Sequence, residues 1–273
     1  MLIGLDFDNT IASYAGVFHA AAVRQGLIPH DVASDKRSVR DHLRGIGRED
    51  DWTELQGYVY GCCMDLVAVY DGVQEFLTRA HQDGHKLVVV SHKTRTPYRG
   101  PAYDLHAAAR AFLEARGIVD GERLSDSEVF FETTIEDKLK RVGDLGCDLY
   151  VDDLPEVLGH AAFPDAARRI LFDPDAAHLG EAEADPRLER TDSWRALSAA
   201  WLSAESRVPP SYSLDDLAGR LSARAGTGAV RRVTPLSGGR NNRLARVDTA
   251  DGAYVLKSFN ASLQDPRDRM GAE

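Results

Sequence analysis

The chain has 273 residues, enough for one large domain or two ordinary ones. Lys and Arg number 33 against 43 Asp and Glu, and the net charge of −10 lacks the basic footprint of a nucleic-acid binder, although it leaves room for a local basic pocket. With 23 Gly and 11 Pro the collagen-like and low-complexity classes are excluded, and 43% apolar residues can supply a core. Three cysteines, two of them adjacent at Cys62 and Cys63, make a poor disulfide framework and have no metal-binding spacing. The apolar start is broken by Asp6 and Asp8, and no stretch approaches the ~18 apolar residues of a membrane span. These features predict a soluble, cytoplasmic protein that meets neither membrane nor nucleic acid.

Short apolar runs at 2–7, 86–91, 129–131, 149–151 and 169–172 carry little polar alternation, as strands covered on both faces do. Between them, 73–82, 105–115 and 135–145 read as amphipathic helices, followed by Gly84, Gly117 and Gly146 as stop signals. The alternation predicts an α/β fold with a doubly wound parallel sheet. The segment of about 12–70 reads mainly as helix, at 14–25, 38–45 and 52–69, with no convincing strand. An insert at the carboxyl end of a parallel strand lies where such sheets bind ligands, so it reads as a helical lid, the plainer alternative being one long crossover. An acidic, Ala-rich stretch and a helix at 193–204 complete a domain over 1–205, and the Pro-containing segment 206–212 reads as a linker. Beyond it, 213–273 changes character: a helix at 214–225, then antiparallel strands at 230–235, 243–247 and 254–259, separated by a Gly-Gly turn and by Asp251-Gly252.

The first strand runs into D-F-D-N-T, which places Asp6 and Asp8 two apart and on the same side of a strand. The fourth run ends in Asp152 and Asp153. Carboxylates crowded at strand ends repel one another unless a cation or a proton sits between them. Four of them make an oxygen-rich pocket suited to Mg²⁺. The plainer readings are an Asx-rich turn and a helix N-cap, and the joint occurrence at two strand ends favours the metal.

Over roughly 1–205 the sequence resembles the haloacid dehalogenase (HAD) superfamily of phosphatases. An apolar strand with D-x-D-x-T is matched by Asp6, Asp8 and Thr10, and a strand ending in a hydroxyl residue by V-V-V-S with Ser91. E-D-K-L-K offers Lys138 or Lys140 as the motif lysine, with Lys138 preferred because it falls in the first turn of its helix; a strand followed by two acids is matched by Asp152 and Asp153. The resemblance implies that the lid is a helical cap and the fold Rossmannoid. It further implies Asp6 as the nucleophile forming an aspartyl-phosphate, Asp8 as the acid and base, and Ser91 and Lys138 as phosphoryl holders. For Mg²⁺ it implies Asp6, the Asp8 carbonyl, Asp153 and, through water, Asp152, the last two being exchangeable.

Substrate choice is weakly encoded. Thr10 and the loop residues His92, Lys93 and Arg95 are candidates for binding a small phosphorylated substrate such as a sugar phosphate or a nucleotide; a solvated basic loop is the alternative. Trp52, Tyr58 and Tyr60 in the lid could stack on a ring, but aromatic residues at helical spacing are more often core.

The tail resembles the small nucleotide-binding lobe of the aminoglycoside phosphotransferase and choline kinase family. Gly238 and Gly239 match its glycine turn, Lys257 its strand lysine and Glu273 its helix glutamate. The large lobe of that family is absent from the 273 residues, so the tail is expected either to be the remnant of a longer fusion or to dock on a partner. The rival readings are a phosphotransferase fragment with a regulatory first domain, and a non-catalytic interaction protein that keeps the fold.

Overall fold

The structure is a computed structural model, in which residues 1–202, 229–236 and 242–259 are described. The chain divides into two units, Met1–Ser206 and Arg207–Glu273, each taken by itself below. The first unit begins with β1 (Leu2–Leu5) and an insert that runs from β2 (Ala12–Ser13) through α1 (Val17–Arg24), α2 (Lys36–Gly45) and α3 (Glu49–Cys62) to β3 (Ala68–Val69). It continues with α4 (Val73–Gln82), β4 (Lys86–His92), α5 (Leu105–Ala115), β5 (Val129–Glu132), α6 (Ile135–Leu145) and β6 (Leu149–Asp152). The remaining elements are α7 (Pro155–Leu158), β7 (Arg168–Phe172), α8 (Leu179–Ala184), β8 (Leu188–Thr191) and α9 (Trp194–Trp201).

Six strands form one sheet in the order β5-β4-β1-β6-β7-β8, every neighbouring pair parallel. The chain starts in the middle and winds outward both ways, so β1 and β6 meet at the point where the winding reverses. Alternate side chains serve two cores. Ile3, Leu5, Phe7, Val89, Val151 and Phe172 pack with α4, α5 and α9, whereas Val88, Val90, Tyr150 and Leu171 pack with α6 and α7. With both faces covered, the strands have no solvent side to mark with polar residues, which is why they read as unbroken apolar runs.

Three strands went unpredicted. β8, with the sequence Leu-Glu-Arg-Thr, pairs on one side only, and its half-buried Glu189 and Arg190 break the apolar signal. Inside the insert, Ala12 and Ser13 pair antiparallel with Val69 and Ala68. Two residues are too few to show a period, yet this ladder clamps both ends of the insert together, so the segment is a helical excursion and not a crossover. The crossover to β4 is made by α4 alone. Local signals in the body match their elements: the Thr134 hydroxyl accepts from Asp137 N at 3.0 Å to cap α6, and Gly146 ends that helix at a φ of +71°.

In the second unit β9 (Val230–Leu236), β10 (Asn242–Thr249) and β11 (Ala253–Phe259) form an antiparallel sheet in the order β11-β10-β9. Lys257 lies on β11 opposite Leu244. Gly238, Gly239, Glu273, the expected helix 214–225 and the linker 206–212 lie outside the described residues. A three-stranded antiparallel sheet is common to many small domains and does not single out a kinase-like lobe. Among the described residues no helix is long and apolar enough to cross a membrane.

Gly4 is fixed by the ring behind it. A Cβ there would stand 2.7 Å from Tyr150 Cδ2 and 3.0 Å from Cys147 Sγ. The Tyr150 ring is fully buried, and its hydroxyl donates to the Val90 carbonyl, so it has nowhere to withdraw. Gly4→Ala is therefore expected to cost ~1–3 kcal/mol of stability, the range of an overpacked core, in a urea titration. An unchanged midpoint would show that the ring yields.

Candidate active site

At the end of β1 the chain stays in the sheet for one more residue, because Asp6 N donates to the Val151 carbonyl at 2.9 Å. It then turns: Ile11 N and Ala12 N both donate to the Phe7 carbonyl, at 3.0 and 2.9 Å, and Asn9 takes a φ of +56°. Asn tolerates that left-handed conformation better than most residues. From β6, Asp152 comes up beside Asp6. The Lys138 ammonium, in the first turn of α6, donates to Asp6 Oδ1 at 2.7 Å and to Asp152 Oδ2 at 2.6 Å. All three side chains are almost completely buried. One oxygen each of Asp6, Asp152 and Asp153 lies within 4.8 Å of the other two. The alternative lysine, Lys140, is exposed and pairs with Asp144.

Burial dominates the electrostatics. It raises the Asp6 pKa from 3.8 to about 7, with Lys138 opposing and Asp152 adding to the shift. Burial, then the neighbouring Asp152 and Asp6, push Asp153 well above the usual carboxylate range. Burial alone would lower Lys138, but the charges of Asp152 and Asp6 outweigh it and hold the ammonium well above its ordinary value. Three carboxylates around one ammonium leave two negative charges unmatched when all are ionised, the charge of one divalent cation. The donors are all hard oxygens, the set Mg²⁺ or Ca²⁺ takes. Asp152 is already engaged on both oxygens, by Lys138 and by Leu154 N at 3.0 Å.

The Asp8 carboxylate stands apart from this cluster. Its Oδ2 accepts from the Lys93 ammonium at 2.7 Å and its Oδ1 from the Tyr14 hydroxyl at 2.6 Å. Lys93 is buried, with its ammonium 5.4 Å from the Phe7 ring centre and 4.6 Å from that of Tyr60. Ser91, near the end of β4, is buried, and so is Thr10, whose hydroxyl finds no hydrogen-bond partner among the described residues.

The other candidates of the loop after β4 turn elsewhere. His92 is exposed and its Nε2 lies 3.1 Å from the Thr133 carbonyl, and Arg95 is 72% exposed and pairs with Asp104 at 2.9 Å. Arg99 reaches α3, pairing with Asp50 at 3.0 Å and Glu54 at 3.1 Å. Trp52 is core, stacked near Phe18, and Tyr58 meets Arg24. Tyr14 and Lys36 went unremarked in the sequence. A tyrosine between a strand and a helix carries no spacing signal, and Lys36-Arg37 at a helix start resembles a solvated face.

Compared with solved structures, the chain is similar to a predicted phosphatase from Clostridium acetobutylicum, at 16% identity and a TM-score of 0.50 over 73% of this chain and 96% of that one. A HAD family hydrolase from Deinococcus radiodurans R1, solved with bound phosphate and sodium, aligns at 14% identity and a TM-score of 0.49 over 77% and 97%. A predicted phosphoglycolate phosphatase from Haemophilus somnus 129pt aligns at 18% identity and 0.47 over 73% and 96%. No family model and no curated protein matches the chain. The likeness is one of fold: a six-stranded parallel sheet with flanking helices, the HAD-like α/β arrangement.

The carboxylate cluster makes stability depend on pH. Between the ordinary 3.8 of Asp6 and its folded value of about 7, the folded chain binds more protons than the unfolded one. Stability therefore falls as pH rises through that window, by at most about 1.4 kcal/mol per pH unit for this group. Cation-free protein is expected to melt at lower temperature near about pH 8 than near about pH 5, and added Mg²⁺ to raise the melting temperature more at the higher pH. Equal Mg²⁺ effects at both would show that the carboxylates are not the binding groups.

Proposed function

We propose that the first unit is an Mg²⁺-dependent phosphatase that hydrolyses a small phosphate monoester, such as a sugar phosphate or a nucleotide, through an aspartyl-phosphate on Asp6. The observation that carries this reading is the convergence of Asp6, Lys138, Asp152 and Asp153 where the sheet reverses its winding. Asp6 and Asp153, with the Asp8 carbonyl, would hold the metal, while Asp152, committed to Lys138 and Leu154 N, would act on it through water. When bound, the metal neutralises phosphate charge that would otherwise repel a carboxylate nucleophile.

Each protein group has a separate task. An Asp6 carboxylate oxygen attacks phosphorus while the P–O bond to the leaving alcohol breaks, and Lys138 and the Ser91 hydroxyl steady the phosphoryl oxygens. Asp8 gives its proton to the departing alkoxide and then takes one from the water that cleaves the aspartyl-phosphate, restoring both carboxyls. The Tyr14 hydroxyl and Lys93 hold the Asp8 carboxyl in one orientation, with both of its oxygens bonded. A residue that must deliver and retrieve one proton at one atom benefits from that restraint.

p-Nitrophenyl phosphate turnover with Mg²⁺ tests the reading. A chelator is expected to abolish it and Asp6→Asn to reduce it to background. Asp8→Asn is expected to lose ~10²–10⁴-fold and to accumulate hydroxylamine-labile phosphate on the protein, because the leaving nitrophenolate needs no acid but the second step still needs a base. Turnover by Asp6→Asn at the wild-type rate would overturn the assignment.

A further inference from the structure

Two lysines of the body are matched by acids at this site: Lys138 by Asp6 and Asp152, and Lys93 by Asp8. A third, Lys36, comes from the insert at the first position of α2, and it makes no ion pair among the described residues. Its ammonium donates to the Tyr60 hydroxyl at 2.9 Å and lies 5.0 Å from the ring centre of Phe18 and 5.5 Å from that of Tyr60. Tyr60 is the link to the site. Its ring faces the Lys93 ammonium and stands edge-on to Tyr14 at 5.1 Å, and Lys93 and Tyr14 are the two groups that hold Asp8. Burial lowers the Lys36 pKa, but Tyr60 first and then the charges of Asp8 and Asp153 outweigh it, and the net shift is upward.

A helix N-terminus carries partial positive charge, which at α2 the N-cap Asp35 offsets through its bond from Ser38 N, and no acid of the first turn pairs with Lys36. A lysine at such a position ordinarily extends into water. Here the ammonium is instead drawn in against two rings and one phenol. What the arrangement provides is a positive charge with no ion-pair partner among the described residues, borne by the insert and connected through Tyr60 to the groups that hold Asp8.

We propose that Lys36 binds a second anionic group of the substrate, a carboxylate or a second phosphate, so that the enzyme takes doubly anionic phosphate monoesters ahead of those with neutral tails. This rests on the phosphatase reading above and narrows its substrate class. On binding, Lys36 exchanges its neutral phenol partner for an anion, a stronger charge-assisted contact.

The test uses the full chain with Mg²⁺ and two matched pairs: phosphoglycolate against ethyl phosphate, and glucose 1,6-bisphosphate against glucose 6-phosphate. The anionic member of at least one pair is expected to lead in kcat/KM by about 10–100-fold, the worth of one hydrogen bond to a charged group. Lys36→Met is expected to remove most of that lead and Lys36→Arg to keep it; the pair that responds tells carboxylate from phosphate. Should Lys36→Met fold poorly, Lys36→Gln carries the same comparison. A wild-type enzyme without preference, or a preference intact in both uncharged variants, overturns the proposal. If no monoester is hydrolysed, the phosphatase reading fails on its own. Thermal shifts by phosphonoacetate against methylphosphonate then decide on Lys36: an excess shift by phosphonoacetate that vanishes in Lys36→Met upholds the second-anion site, and equal shifts refute it.

Discussion

The Lys138 ammonium lies between two buried carboxylates that belong to different strands, Asp6 after β1 and Asp152 at the end of β6. A buried ion triad is costly to assemble, and an apolar replacement of similar volume is often as stable or more so. Its presence at the centre of a sheet is therefore poorly explained by folding alone. With Asp153 in reach, the cluster carries more negative charge than the lysine can match, and the fold holds that excess where ligands enter doubly wound sheets. Removing the ammonium would leave carboxylates that must protonate, separate or capture a cation.

Around that centre the structure builds two layers of restraint. The body supplies rigid supports: Asp6 N is still bonded into the sheet, Asp152 is held by Lys138 and Leu154 N, and Gly4 lets the Tyr150 ring pass behind β1. The insert supplies the others. Tyr14, just after β2, reaches Asp8, and Tyr60 and Lys36 stand beyond it. The two-residue ladder of β2 and β3 ties the insert at its root, so the acids and Lys138 stay with the body while Tyr14, Tyr60 and Lys36 come from the insert. The loop after β4 joins the two, since Pro97 and Tyr103 lie against Gly57 and Gly61 of α3, where no larger side chain fits.

Most of the body was legible in the sequence because its signals are local. Four inner strands and the edge strand β5 read as apolar runs, α6 carries its own Thr134 and Gly146 caps, and Asp6, Asp8, Asp152 and Asp153 stand at run ends. β8 was missed because Glu189 and Arg190 break its apolar run, and the β2–β3 ladder because two residues have no period. The basic loop after β4 looked alike at every position; only the folded chain separates Lys93, turned onto Asp8, from Arg95 and Arg99, turned onto surface acids. In the second unit the strands were readable from alternation and turns, whereas the resemblance of that tail to a kinase lobe rests on residues mostly outside those described.

The sequence by itself determined the parallel α/β body, the helical insert and the identity of the acids, because hydrophobic period, capping residues and run-end carboxylates are properties of neighbouring residues. Only the tertiary structure decided which lysine meets which acid. Lys138 is 132 residues from Asp6, Lys93 is 85 from Asp8, and Lys36 meets not an acid but Tyr60 of another helix. Contacts across such separations are set by how the sheet winds and where the insert folds back, and no spacing along the chain encodes them.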